Sequence, residues 1–106
     1  MHHPRTIQTD ILQWQGITLE ITYEPEWLGI RRHGEWAVAH LGVTSVAPER
    51  APLPITGTGY RSCFLHPDLI HEAGGAVAFV EAWLEDQAKS REWQAHLQSS
   101  QQLSLF

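Results

Sequence analysis

The apolar residues of this chain change their period once, at Pro67. Ahead of it, Ile17, Leu19, Ile21 and Tyr23 alternate with Thr18, Glu20 and Thr22. That period of two, rich in β-branched side chains, predicts a strand with one buried face. Beyond Pro67, Ala76, Val80, Trp83, Leu84 and Ala88 fall on one stripe at helical spacing, with Glu81, Glu85 and Lys89 opposite. A chain that writes strands first and helices afterwards is α+β. The expected architecture is a small, mostly antiparallel sheet from residues 16–65, followed by C-terminal helices and an extended C-terminal tail. The 106 residues allow one domain, placed at 1–98, with 99–106 as the tail. Ile17, Leu19, Ile21, Val80, Trp83 and Leu84 are expected in one core.

The connections are predicted from turn chemistry. Residues 1–15 carry no clear pattern and are expected to be extended or loosely packed. Pro25 ends the first strand, because proline cannot donate to a ladder. His33-Gly34 fits a hairpin end between residues 27–32 and 35–46, and residues 36–46, apolar on both sets, suggest a central strand. Pro48, Pro52 and Pro54 make a rigid surface loop. A further strand is expected over 55–65, with Gly57 and Gly59 near its start marking a bulge or a close backbone approach. Pro67-Asp68 opens a short helix that Gly74-Gly75 stops, and a longer helix follows over 76–89. Ser90 is placed to cap a last helix through Leu97, leaving residues 99–101 as a polar tether.

Composition restricts the function. The formal net charge is −5, and only seven residues are Lys or Arg. Nucleic-acid binding draws on such cations to neutralise phosphates, so no direct nucleic-acid binding is expected. The charge is equally too small for a DNA mimic. Five tryptophans, Trp14, Trp27, Trp36, Trp83 and Trp93, are more rings than a chain this short usually carries. A small domain is short of buried area, so each is assigned first to the core and second to a partner surface. The single Cys63 excludes an internal disulfide and suits a reducing cytosol. No apolar run approaches a membrane span, and the first residues lack the apolar stretch of a signal peptide. The expected location is the cytoplasm.

Two arrangements could carry chemistry. Cys63, His66 and His71 offer zinc-type ligands at spacings of three and five, but structural zinc sites want four ligands. Ser62 and Cys63 lie near His66, yet a nucleophile needs a base in reach and a third group to orient it, which sequence proximity does not supply. Gly57-Thr58-Gly59 is too short for a phosphate fingerprint and opens no helix. No enzyme activity, metal or cofactor is assigned. Thr58, Tyr60 and Arg61 are assigned to a structural turn ahead of a surface.

The last five residues, Gln102, Leu103, Ser104, Leu105 and Phe106, read QLSLF. They resemble, at every position, the pentapeptide by which bacterial proteins dock on the DNA polymerase III sliding clamp (beta subunit). A strict match at one fixed position arises by chance on the order of a few times in a million. The resemblance implies that Leu105 and Phe106 enter an apolar pocket on the clamp and that Gln102 hydrogen-bonds beside it. The bottom-up alternative is a tail that folds back over its own domain. Residues 52–84, with PLPITGTGYRSCF and then GGAVAFVEAWL, resemble a group of small uncharacterised bacterial proteins, which implies no activity. The leading expectation is a clamp-interacting adaptor or regulator in replication or repair. The alternative is an interaction module of other purpose, such as an antitoxin-like, phage-defence or mobile-element component.

Overall fold

A computed structural model describes residues 7–27 and 36–103, with side chains described through residue 99. Residues 8–14, expected to be loose, form strand β1 (Gln8–Trp14), paired antiparallel with β2 (Ile17–Glu24) across a two-residue turn. Gln15 and Gly16 both take positive φ (47° and 81°), the mirror-image turn whose twist matches a hairpin. Leu12 and Trp14 of β1 are buried, so its alternation was present but short and mixed with exposed Ile11.

Strand β3 (Ala39–Ala47) pairs with β2 on one side and β4 (Tyr60–Leu65) on the other, giving the sheet order β1-β2-β3-β4, all antiparallel. It is the central strand expected from residues 36–46. The proposed hairpin end at His33-Gly34 lies outside the described residues. Helices α1 (Pro67–Ala73), α2 (Ala76–Gln87) and α3 (Arg91–Leu103) complete the chain. The α+β class with strands first and helices after is as the period change predicts.

One face of the sheet carries the core. Leu19, Ile21, Leu41 and Val43 meet Val80 and Leu84 of α2, all at most 1% exposed, and Ile17 and Trp83 pack at the margin. Each fully buried side chain of this size stabilises by roughly 1.5–3 kcal/mol relative to exposure. Trp14 and Trp93 are buried, Trp83 and Trp27 half-buried, and Trp36 stands 70% exposed, so the core assignment fails for that ring. Trp14 Nε1 donates to Glu85 Oε1 at 2.8 Å, tying β1 to α2, while Trp93 stacks at a tilt on Trp14, 5.8 Å between centroids.

The helix boundaries follow from caps. His66 Nδ1 accepts from Asp68 N at 3.1 Å at the start of α1, and Gly74, with φ 98°, closes that helix in the left-handed conformation. Ser90 Oγ accepts from Trp93 N, capping α3 as expected. The helix then runs six residues beyond Leu97, through Leu103. Residues 99–101 are therefore helical and not a tether. Gln98, Gln101, Gln102 and Leu103 have favourable helix propensity, Ser99 and Ser100 tolerate the helix, and no glycine or proline stops it.

Candidate functional site

Three regions hold the residues singled out by sequence: the loop leading into β4, the two faces of β4, and the end of α3. The loop between β3 and β4 is more deeply embedded than a surface connection. Leu53 and Ile55 are in the core, and the strand expected from residue 55 begins only at Tyr60. Ser45, 1% exposed, organises the loop: its Oγ donates to Ala51 O at 2.7 Å, its N–H to Gly59 O at 2.8 Å, and its carbonyl accepts from Arg50 N at 3.2 Å. Every polar group of this buried residue is thus used, as burial demands.

Gly59 is the close approach that sequence anticipated. Its φ is 80°, and a Cβ placed there would lie 2.6 Å from the Arg50 backbone. Arg50 itself takes positive φ (59°). The two residues interlock backbone to backbone, which only glycine permits on one side. Thr56 and Thr58 hydroxyls lie 3.0 and 3.2 Å from Tyr60 O, holding that carbonyl in a fork. The turn reading therefore holds for Thr58, and for Arg61 as well: Arg61 Nη1 donates to Ile55 O at 3.5 Å, and its guanidinium lies over the Trp83 ring.

The residues considered for chemistry are spread apart. Cys63 faces the core side of β4, where burial pushes its thiol pKa up and the nearby Arg61 only partly offsets this. A thiol held protonated is a poor nucleophile and a poor ligand. His66 is committed to the α1 cap, and His71 is exposed further along that helix. Among the described residues, no three His, Cys, Asp or Glu side chains converge as metal ligands would. Ser62 turns away from His66 and instead shares a 2.6 Å hydrogen bond with Nε2 of His40, across the β3–β4 ladder.

That pair belongs to a cluster that sequence reading missed. On the sheet face opposite the core, Trp27, His40 and Phe64 meet with ring centroids 4.7–5.0 Å apart. Phe64 is 56% exposed and Tyr60, four residues back on the same face, 53%. The available signal was the alternation within YRSCFL, whose odd residues face inward and even residues outward.

The family described as the KlcB third domain matches residues 7–93. The chain belongs to that family. No curated protein and no solved structure matches it. The match to the KlcB third domain spans the whole sheet, α1, α2 and the first turn of α3, and stops short of QLSLF. Gln102 and Leu103 end α3, while Ser104, Leu105 and Phe106 lie outside the described residues. Among the described side chains of α3, Trp93 and Leu97 are seated on the domain. Gln98 and Ser99 are already exposed.

Proposed function

We propose that this protein is a bacterial sliding-clamp-interacting adaptor or regulator, acting in the cytoplasm in DNA replication or repair. Its docking element is residues 102–106, and its KlcB-type domain is the cargo or the obstacle delivered to the clamp. The observation that carries this reading is the full QLSLF pentapeptide. Helix α3 runs six residues, about 9 Å, beyond Leu97 and reaches the start of the peptide.

Docking in the extended form unwinds the last helical residues, Gln102 and Leu103. Helix ends lack half of their backbone partners, so this step costs little. Phe106 and Leu105 act as anchors in a desolvated pocket, and Gln102 contributes a hydrogen bond. The domain works as a binding module without a catalytic step, and it contacts no nucleic acid directly. No helix among the described residues is long and apolar enough to cross a membrane.

Calorimetry of the intact protein against the clamp of its own source tests the proposal. Binding on the order of micromolar, near −8 kcal/mol, is expected for so short a peptide. Deletion of residues 102–106 abolishes it. Binding that persists after the deletion, or none by the intact protein at about a hundred times that concentration, refutes the reading.

A further inference from the structure

Among the described residues strand β4 is an edge of the sheet, and its outward backbone groups can be identified. Ser45 N donates to Gly59 O, and the β3–β4 register continues from that pair through Val43↔Arg61, Leu41↔Cys63 and Ala39↔Leu65. In an antiparallel ladder hydrogen-bonded pairs alternate with non-bonded ones, so Arg61, Cys63 and Leu65 spend their N–H and C=O groups on β3. Those of Tyr60, Ser62 and Phe64 point away from the sheet. The Tyr60 carbonyl confirms this parity, because it is the one held between the Thr56 and Thr58 hydroxyls. Ser62 and Phe64 keep a free donor and a free acceptor each among the described residues. An edge of this kind is usually blunted by lysine, proline or a bulge. Here YRSCFL has one charge, no proline and two exposed aromatic rings.

We infer that β4 pairs with β4 of a second copy, antiparallel about a two-fold axis, in the register that sets Cys63 opposite Cys63. In that register Ser62 of each copy faces Phe64 of the other, and four N–H···O=C bonds form from the groups left free. Sliding by one pairing step, to Ser62 opposite Ser62, would aim each Phe64 N–H at a Tyr60 carbonyl already occupied by threonines. The side chains favour the same choice. Phe64 comes to lie diagonal to its counterpart across the seam, within reach of an aromatic contact. Arg61, the only charge on the strand, comes opposite Leu65 and toward the acidic first turn of α1 at Asp68 of the second copy, instead of facing its own counterpart. A six-residue seam of about 20 Å is small for an interface, so the dimer is a transient one, with dissociation in roughly the micromolar to millimolar range.

Sedimentation of the full chain up to about one millimolar tests the inference. The wild type is expected to dimerise. Ser62→Pro removes the outward N–H, which has no partner among the described residues, and is expected to weaken the dimer at least about tenfold, a difference of 1.4 kcal/mol. Ser62→Ala, which keeps the amide and loses only the bond to His40, leaves dimerisation intact. A second measurement does not depend on the proline variant folding. Oxidation by copper phenanthroline, which takes two electrons as two thiols release two protons, joins Cys63 to Cys63 at the separation of directly opposed residues. Covalent dimer in the wild type at dimerising concentrations supports this register. A wild type that stays monomeric, a dimer indifferent to Ser62→Pro, or a dimer that gives no Cys63 cross-link overturns it.

Discussion

Residues 7–93 and residues 98–106 obey different constraints. In the first region nearly every residue picked out by pattern has a neighbour that explains it: Leu84 fills the core, Ser45 ties the loop, Gly59 makes room for Arg50, and Arg61 lies on Trp83. The family match covers the same stretch. In the second region α3 continues six residues past Leu97, its last described side chain packed on the core. The family match ends before it, and its proposed role is docking. Changes in the two regions should therefore separate stability from docking.

The sharpest test of that separation is Leu84→Ala. Leu84 is fully buried against the sheet, so its truncation should cost about 3 kcal/mol and lower the midpoint of urea unfolding. Clamp binding should be unchanged under conditions where the variant is folded. Phe106→Ala is the mirror experiment. It should weaken clamp binding at least thirtyfold, about 2 kcal/mol, and leave the unfolding curve where it was. A coupled loss in either variant would show that the two regions are one unit.

Gly59→Ala probes the first region at its tightest backbone contact. The added methyl meets the Arg50 backbone, and φ is positive there, so a loss of roughly 1–3 kcal/mol is expected by thermal unfolding. Gly57→Ala, with open space around it, should cost less by the same measurement. The smallest effect concerns Tyr23, whose pKa is raised above 10.0 by burial and, secondarily, by the Asp68 carboxylate. A raised folded-state pKa means that folding favours the protonated phenol. That contribution is complete below the unfolded value near pH 10 and is lost as pH rises beyond it. The melting temperature should fall above about pH 10, and Tyr23→Phe should flatten the decline.

Sequence was informative where a residue answers to a local rule. The period of Ile17, Leu19 and Ile21, the stop at Gly74 and the cap at Ser90 are each set within a few neighbours, and all stand as expected. It was uninformative where the deciding partner is distant. Strand β1 needed its pairing with β2 to be recognised, and Ile55 belongs to the core because the loop bends inward. Ser62 finds His40, twenty-two positions away, instead of the nearby His66. The end of α3 erred in the other direction, since a polar sequence suited to a tether is also a good helix.

The unbroken course of α3 from the Ser90 cap to Leu103 also makes it a mechanical part with a phase. Each residue advances the backbone by about 1.5 Å and turns it by roughly 100°. The compass bearing of the helix end at Leu103 is thus geared to the seat of Trp93 on Trp14. One residue inserted between Leu97 and Gln102 would swing that bearing by more than a quarter turn while lengthening the arm hardly at all. Seven would nearly restore it, about 10 Å farther out. A flexible linker would absorb either change, whereas a rigid spoke translates sequence length into direction.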